Sequence, residues 1–373
     1  MGINTDLLYS YPVIDPYTGA SSIPKYQTST FHQTISGESQ QEFTYSRFGN
    51  PTVQALEEGI KKIENSKYAL VFSSGMAAIS NVLMLLKSGD HVIFPMEVYG
   101  GTCQFATEIL PSYGIETSFI DVSSMNILRK EIKQNTKMVY IETPSNPLLK
   151  ISNIKSIVQI SKENQLVTVA DNTFMTALYQ KPLHLGVDMV VESITKFING
   201  HSDTTGGFIA TNNVALYKRL NLFQKSFGSI LGVEDAWLIL RGMKTMGIRM
   251  EKATYNSKII AEFLDKHKKI EKVYYPSLEN NRNNTIHYQQ ATNGGAVLSF
   301  ELIDKYCLEQ FIKKINLPIY AVSLGGVESI VSHLATMSHA CLSKKEREKQ
   351  GISETLLRLS CGIEDVEDLL LDL

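Results

Sequence analysis

The sequence has few cysteines and none at metal-binding spacing. The 373 residues contain four cysteines and no CxxC pair; they are Cys103, Cys307, Cys341 and Cys361. Zinc sites and disulfide frameworks show close or regular cysteine spacing, so neither is predicted. His201 and His333 lack a second potential ligand nearby, and we interpret both as hydrogen-bonded structural groups. We therefore expect no bound metal and a reducing, cytosolic environment.

The sequence also lacks a basic excess, a long apolar run and the glycine motifs of nucleotide-binding proteins. Its 36 Lys and Arg are balanced by 38 Asp and Glu, which argues against nucleic-acid or anionic-membrane binding as the main activity. The apolar run at 82–86 is too short to span a membrane, and the first residues lack the pattern of a secretory signal. Neither GxGxxG nor a Walker motif is present, so dinucleotide or ATP binding has little support.

Between residues 68 and 212, short apolar runs alternate with amphipathic segments. Strands are predicted at 68–72, 91–95, 117–121, 137–143, 166–171, 188–193 and 207–211, and helices at 75–87, 101–111, 124–133, 151–164 and 214–226. Val- and Ile-rich runs separated by helices predict an α/β fold with a mostly parallel sheet covered by helices. Ligands of such sheets gather at the carboxyl ends of the strands.

The two ends of the chain differ from this middle part. Residues 1–55 are rich in Tyr, Ser, Thr, Gly and Pro, and we predict an extended arm held against a neighbouring subunit, because it would otherwise fray. Residues 56–240 are predicted to form a large domain and residues 241–373 a smaller α+β domain. The expected later elements are a long helix at 236–267 bent near Gly242, a strand at 296–302, a helix at 306–315, strand-like runs at 318–324 and 356–361, and a closing helix.

Lys196 follows one of the predicted buried strands, 188–193, with Ser193 and Thr195 beside it. A cation at the end of a buried strand has to be solvated, paired or used chemically. Taken alone, the pattern also fits an ordinary surface lysine in a loop. The interpretation therefore depends on what the other strand ends supply.

Other strand ends carry groups with two interpretations each. Asp171 is either a functional acid or the cap of a following helix. Asn146 lies between two prolines and Tyr99 in a glycine-rich turn; these are binding groups, or a plain turn and an aromatic side chain covering the sheet edge. The turn Ser74–Gly75–Met76 opens a helix, where free backbone N–H groups suit a phosphate, although such a glycine often serves geometry alone.

Together these groups match pyridoxal 5'-phosphate (PLP). This cofactor needs a lysine for its aldehyde, an acid opposite its ring nitrogen, a donor for its phenolic oxygen, an aromatic ring to stack on and a cup for its phosphate. The sequence offers one of each, in the order Lys196, Asp171, Asn146, Tyr99 and Ser74–Gly75–Met76, with Ser193 and Thr195 as additional phosphate donors.

The motifs then resemble those of the trans-sulfuration (Cys/Met metabolism) family of fold-type I PLP-dependent enzymes, which includes cystathionine γ-synthase, the cystathionine lyases and methionine γ-lyase. The resemblance extends from about Tyr26 to Glu367. It rests on YSRFGNPT (45–52), SSGMAAI (73–79), YGGT (99–102), ETPSNP (142–147), ADNTF (170–174), SITKFINGHSD (193–203), SLGGVES (323–329) and LRLSCGIED (357–365).

The resemblance implies further roles. Tyr45 and Arg47 are expected to reach the cofactor phosphate of a neighbouring subunit, which makes a dimer the smallest active unit and a homotetramer the expected assembly; Tyr45 is also expected to contact substrate. Arg358 is expected to bind the substrate α-carboxylate, assisted by Ser323 and Asn146.

The remaining implied roles concern the cofactor and the proton transfers. Thr173 is expected beside the cofactor. Lys196 is expected to remove the α-proton, and Tyr99 is the candidate acid for the leaving sulfur.

The implied activity is that of a carbon–sulfur lyase acting at Cβ or Cγ of cystathionine, or of cysteine or homocysteine. A γ-replacement enzyme joining an O-acylhomoserine to cysteine or sulfide, or a methionine γ-lyase, remains an alternative. Gly101 stands where methionine γ-lyases carry cysteine, which disfavours that activity. Thr44 replaces an acid often found before the YSR motif, and Phe48 and Cys361 are further departures. A scaffold without catalysis and a nucleotide-dependent enzyme are hypotheses of other classes.

Overall fold

The computed structural model describes residues 2–11, 14–33, 42–281, 283–337 and 344–373. Its strands are β1 (Tyr68–Phe72), β2 (His91–Pro95), β3 (Glu116–Ile120), β4 (Thr136–Glu142), β5 (Val167–Asp171), β6 (Met189–Glu192), β7 (Gly207–Thr211), β8 (Ile270–Tyr274), β9 (Val297–Leu302), β10 (Ile319–Tyr320), β11 (Ile330–His333) and β12 (Leu356–Ser360). Most of these bounds lie within one or two residues of the predicted strands.

The α-helices are α1 (Ile3–Tyr9), α2 (Pro51–Glu64), α3 (Gly75–Leu83), α4 (Gly100–Gln104), α5 (Met125–Glu131), α6 (Ile154–Glu163), α7 (Thr176–Tyr179), α8 (Val214–Phe227), α9 (Val233–Met243), α10 (Met246–Leu264), α11 (Asn284–Tyr288), α12 (Lys305–Lys314), α13 (Lys344–Gln350) and α14 (Val366–Asp372). A π-helical turn at Phe105–Ile109 and a 3-10 turn at Leu110–Tyr113 continue α4, and another 3-10 turn spans Pro182–Leu185. Within the described ranges, no helix is both long and apolar enough to cross a membrane.

The chain forms two compact units, each built from two separated stretches. The first unit comprises the residues up to Leu85 together with Met189–Gly247, and the second comprises Leu86–Asp188 together with Ile248–Leu373. The boundaries that we placed at residues 55 and 240 from the sequence stay predictions.

In the first unit, β7 pairs antiparallel with both β1 and β6, so the strand order is β1-β7-β6. Helix α2 begins at Pro51 because the side chain of Asn50 accepts a hydrogen bond from the Thr52 N–H (2.9 Å) and proline suits the first helical turn. Its apolar side chains recur at helical spacing and are completely buried: Leu56, Ile60 and Ile63.

The outer side of β1 is covered by side chains from two helices. The Val71 N–H donates to Glu57 Oε1 on α2 (3.1 Å), and Gln224 Nε2 on α8 donates to the Val71 carbonyl (2.7 Å). These two side chains occupy the hydrogen-bonding positions that another strand would otherwise take.

In the second unit, β5, β4, β2 and β3 pair in that order and all pairs are parallel. The carboxyl ends of these strands therefore lie at one edge. Their apolar residues form a core with α6 that includes Ile93, Val139, Ile141, Ile157 and Val158. The later part of this unit contains a second sheet, in the order β10-β11-β12-β9-β8, with its own core around Leu298, Phe300, Leu357 and Leu359.

Two local predictions were wrong, and a third was right only in part. The predicted extended arm contains α1, whose Leu7 is only 1% exposed; residues 12–13 and 34–41 of the arm lie outside the described residues. The predicted long helix is interrupted near Gly242, where the bend was predicted, but it is two helices, α9 and α10, because the chain turns at 244–245 and the Thr245 N–H bonds back to the Gly242 carbonyl. The strand-like run at 318–324 contains only the short β10.

Candidate active site

The structure places Lys196 four residues after the end of β6, in a hydrogen-bonded turn of the first unit. The Lys196 N–H donates to the Ser193 carbonyl (3.2 Å), and the Lys196 carbonyl accepts from the Gly200 N–H (2.8 Å). The Thr195 hydroxyl donates to the Gly206 carbonyl (3.2 Å) and accepts from the Gly206 N–H (3.0 Å). This pairing ties the lysine turn to the start of β7. A phosphate contact from Thr195 stays a prediction that requires its hydroxyl proton to leave Gly206.

The predicted phosphate cup is a helix N-terminus pressed against the same turn. The Ser74 hydroxyl accepts from the Ala77 N–H (3.0 Å), so α3 begins at Gly75 with its first N–H groups, including that of Met76, outside the helical ladder. A Cβ at Gly75 would lie 2.8 Å from Ser193 Cβ, and one at Gly207 would collide with the Ser74 carbonyl. Small residues are required here because the chain segments nearly touch. The resulting cradle fits an anion such as the phosphate of PLP.

Tyr45 and Arg47 lie exposed on the first unit. The Arg47 Nη1 donates to the Lys225 carbonyl (2.9 Å), and its guanidinium lies 4.7 Å from the ring centroid of Phe48. Tyr45 packs edge-on against Phe48, with ring centroids 5.9 Å apart. This aromatic–arginine cluster is accessible to another molecule, as the predicted contact with a neighbouring subunit requires.

In the second unit, Asp171 ends β5 and both of its oxygens are held. Oδ1 accepts from the Thr173 hydroxyl (2.6 Å) and N–H (3.0 Å), and Oδ2 accepts from the Tyr140 hydroxyl (3.2 Å). Burial raises the pKa of Asp171, while the hydrogen bonds from Thr173 oppose that rise. Asp171 is therefore a fixed acid at a strand end rather than a helix cap. Sequence reasoning missed Tyr140, because a tyrosine inside an apolar strand has the pattern of a core residue.

Arg358 on β12 is 3% exposed and holds the predicted carboxylate-binding groups together. Its Nη1 donates to Asn146 Oδ1 (3.0 Å) and its Nη2 to the Ser323 carbonyl (2.8 Å). The buried Nε has no hydrogen-bond partner among the described residues. Burial lowers the pKa of Arg358 to about 10, so the guanidinium stays charged at neutral pH. A buried cation with a donor to spare is suited to a carboxylate.

Ser323 contributes to this group through its backbone. Its φ is +94°, a value that residues other than glycine rarely adopt. This conformation points its carbonyl to the Arg358 guanidinium. Strained residues cluster at functional sites, which agrees with the predicted role of Ser323 in substrate binding.

Tyr99 follows β2 and precedes α4, and it is 42% exposed. Its N–H donates to Glu142 Oε2 (2.9 Å). Partial burial raises the pKa of the Tyr99 hydroxyl, the charges of Asp171 and Glu142 act in the same direction, and Arg358 opposes them. The hydroxyl therefore carries its proton at neutral pH, as a proton donor must.

Sequence reasoning also missed Glu142, the first residue of the ETPSNP motif. It ends β4 in register with Asp171 on β5, and its Oε1 accepts from the Asn146 N–H (2.8 Å). Burial, reinforced by the Asp171 charge, raises its pKa well above the usual range. An acid at the end of a central parallel strand was the signal that could have identified it.

The second unit thus brings together Tyr99, Asn146, Asp171, Thr173, Ser323 and Arg358 through shared hydrogen bonds and strand register. The first unit brings the turn at 74–76 together with Ser193, Thr195 and Lys196. Of the departures from the family motifs, Cys361 is completely buried in the core around β12, and burial raises the pKa of its thiol to about 12. Cys361 is therefore a structural residue.

Known proteins similar to this chain were found at the level of family, sequence and structure. The model of the Cys/Met metabolism PLP-dependent enzyme family matches residues 4–373. A cystathionine beta-lyase of Bacillus subtilis (strain 168) is 49% identical over 98% of this chain and 94% of its own length, and a cystathionine gamma-lyase of the same strain is 43% identical over 96% and 94%. The crystal structure of a cystathionine gamma-lyase from Lactobacillus plantarum superposes with a TM-score of 0.97 and 38% identity, covering 100% of this chain and 97% of that one.

Proposed function

Because the chain belongs to the Cys/Met metabolism PLP-dependent enzyme family, we propose that it cleaves the Cβ–S bond of cystathionine. The chain is a PLP-dependent carbon–sulfur lyase of sulfur amino acids with the fold of type I PLP enzymes, as the sequence predicted. The choice of Cβ over Cγ is supported by the B. subtilis pair, in which the beta-lyase is more similar to this chain than the gamma-lyase.

The observation that carries the proposal is the buried pair of Arg358 and Asn146. A charged guanidinium whose Nε is still without a partner among the described residues suits the α-carboxylate of an amino acid. The carbonyl of Ser323 holds the guanidinium from its other side. We expect this arrangement to orient the substrate so that its Cα–H bond is presented for proton removal.

PLP, when bound, supplies an electron sink that acidifies the Cα–H bond of an amino acid. Lys196 is the residue to bind its aldehyde and, through Nζ, to take the Cα proton. Asp171, held by Thr173 and Tyr140, is the acid for the ring nitrogen. The hydroxyl of Tyr99 is the donor that returns a proton to the departing sulfur as the Cβ–S bond breaks. Cystathionine and one water molecule give homocysteine, pyruvate and ammonia, which balances the reaction.

The proposal is tested by incubating the PLP-loaded protein with cystathionine and separating the keto acids. Pyruvate is the expected product; 2-oxobutyrate would show cleavage at Cγ instead. Product formation only from an acylhomoserine plus cysteine would replace the lyase by a γ-replacement enzyme. Lys196→Ala is expected to lose both the visible absorbance band of the bound cofactor and turnover, and full activity in that variant would contradict the assignment.

We also propose a dimer as the smallest active unit, a tetramer as the assembly and the cytoplasm as the location. The exposed cluster of Tyr45, Arg47 and Phe48 supports the first of these, because it is accessible to a neighbouring subunit. An arginine in that position suits a phosphate dianion.

A further inference from the structure

Glu142 is a buried carboxyl that the proposed reaction leaves without a role. It lies at the end of β4 and is 6% exposed. Its two oxygens accept from two different loops, Oε2 from the Tyr99 N–H (2.9 Å) and Oε1 from the Asn146 N–H (2.8 Å). One side chain therefore fixes the backbone of both loops to a central strand.

The two loops carry the groups that handle opposite ends of the proposed substrate. Tyr99 is the proton donor to the leaving sulfur. Asn146 accepts from Arg358 Nη1 (3.0 Å) and so belongs to the carboxylate-binding pair. The distance between these groups depends on a shared anchor, because the loops leave different strands, β2 and β4.

We propose that Glu142 is a positioning residue that sets the separation between Tyr99 and the Arg358–Asn146 pair. The proposal deepens the proposed function and rests on it. A carboxyl that holds both loops keeps the sulfur donor and the carboxylate-binding groups at a fixed span, so the substrate is aligned when it binds. A general acid that is misplaced relative to the bound carboxylate loses much of its effect.

The geometry makes glutamine an informative substitution for Glu142, because it removes one acceptor oxygen and keeps the size of the side chain. Both oxygens of Glu142 accept from backbone N–H groups, whereas an amide offers one acceptor and one donor. Glu142→Gln therefore keeps one of the two hydrogen bonds and sets an NH2 group against the other backbone N–H. One loop has to move while the core around β4 keeps its volume.

We expect Glu142→Gln to raise KM for cystathionine roughly 10- to 100-fold, since one of the two buried hydrogen bonds that anchor the loops is lost, and to lower kcat as well. The inhibition constant of glycine, which carries only the α-amino acid end, should rise in parallel with KM if the Asn146 loop moves. The dissociation constant for PLP should rise much less than KM, because Lys196 and the phosphate cradle, which are proposed to hold the cofactor at its aldehyde and its phosphate, are untouched. A merely structural role would not separate these quantities.

Glu57→Gln is the matched control. The Glu57 carboxyl also accepts from a backbone N–H, that of Val71 (3.1 Å), but this bond holds β1 and belongs to neither the Tyr99 loop nor the Asn146 loop. We expect this variant to keep KM and kcat within about threefold of the wild type.

Each outcome decides the inference. Wild-type KM and kcat in Glu142→Gln would overturn it, as would equal losses in Glu57→Gln. If Glu142→Gln fails to fold, Glu142→Asp decides: its shorter side chain keeps the carboxyl group but reaches one loop only, and a raised KM supports the inference while a wild-type KM refutes it. Failure of both variants to fold also refutes it, because Glu142 would then be a requirement of the fold. If the wild type does not cleave cystathionine at all, the proposed function fails instead.

Discussion

At the scale of single residues, the φ of +94° at Ser323 is a cost that the carboxylate-binding group imposes on the fold. We predict that Ser323→Gly is more stable than Ser323→Ala by about 1 kcal/mol, because glycine adopts this backbone conformation without a clash. Both variants lack the hydroxyl, so their difference isolates the backbone. The measurement is the midpoint of urea unfolding of the PLP-loaded proteins.

The same pair of variants should differ in substrate binding in the opposite sense. A glycine leaves the carbonyl that accepts from Arg358 Nη2 free to turn away, so KM for cystathionine should be higher in Ser323→Gly than in Ser323→Ala. A glycine variant that is no more stable than the alanine variant would show that the backbone at 323 stores no strain.

The catalytic candidates could be predicted because each has an unusual residue type at a strand end: Lys196, Asp171 and Asn146. Their supporting residues could not. Tyr140 is completely buried in β4 and has the sequence pattern of a core residue. Only the hydrogen bond from its hydroxyl to Asp171 shows that it also holds this acid in place. Glu142 has the same position on β4 that Asp171 has on β5, yet its function depends on backbone N–H groups, which a sequence does not display.

At the scale of elements, the covering of β1 by Glu57 should make stability depend on pH. Burial raises the pKa of Glu57 to about 7 from an ordinary value near 4.5. Between these values the folded protein binds more protons than the unfolded chain, so the contribution of Glu57 to stability is present below the lower value and is lost as pH rises through about 7. The ionised carboxylate of Glu57 therefore destabilises the folded state relative to the neutral carboxyl.

We therefore predict that Glu57→Gln matches the wild type in apparent melting temperature at pH 4 and exceeds it by about 2 °C at pH 8, a modest figure because Glu57 keeps some exposure. Glutamine keeps an oxygen for the Val71 N–H but cannot ionise. Glu58→Gln is the control, since Glu58 is exposed on the same helix and pairs with Lys61. An equal difference at both pH values would exclude a titrating Glu57.

Element types were predictable where an apolar period is strong, as in β2, β7 and α8. The ends of the elements were harder to predict, because contacts with residues distant in sequence decide them. The break between α9 and α10 depends on Gly242, at which a Cβ would collide with the carbonyl of Asn199, a residue distant in sequence. Helix α1 was missed since its seven residues carry little periodicity and it depends on the burial of Leu7.

At the scale of the whole molecule, the expected sharing of sites between subunits can be tested by mixing two inactive variants. Lys196→Ala removes the cofactor lysine, and Arg47→Ala removes the arginine that a neighbour is proposed to need. If the site is shared, a hybrid dimer contains one site with both residues intact. We predict that refolding the two variants together in equal amounts restores roughly a quarter of the wild-type activity, the share of intact sites under random pairing.

The controls for this experiment are each variant refolded alone, which should stay inactive. Activity that does not rise on mixing, while native mass spectrometry shows hybrid dimers, would place Arg47 and Lys196 in the same subunit's site or remove Arg47 from the site altogether.

Family membership could be predicted from the sequence because its motifs are long and occur in a fixed order. The bond that is cleaved could not, since the departures at Thr44 and Phe48 lie at exposed positions whose effect depends on what approaches them. The sequence also could not show which stretches of the chain form each unit, because an apolar run predicts a strand but not the strand with which it pairs.

The partition of each unit between two stretches bears on how a nascent chain acquires its shape. Strand β1 leaves the ribosome long before β7, the strand that it pairs with, whereas β2 to β5 are complete within one uninterrupted stretch. We expect the parallel strands to assemble first. During that time β1 lacks β7, and Glu57, which is synthesised shortly before β1, accepts from the Val71 N–H. Helix α2, which is synthesised just before β1, thus prevents β1 from pairing with a wrong strand until β7 has been synthesised.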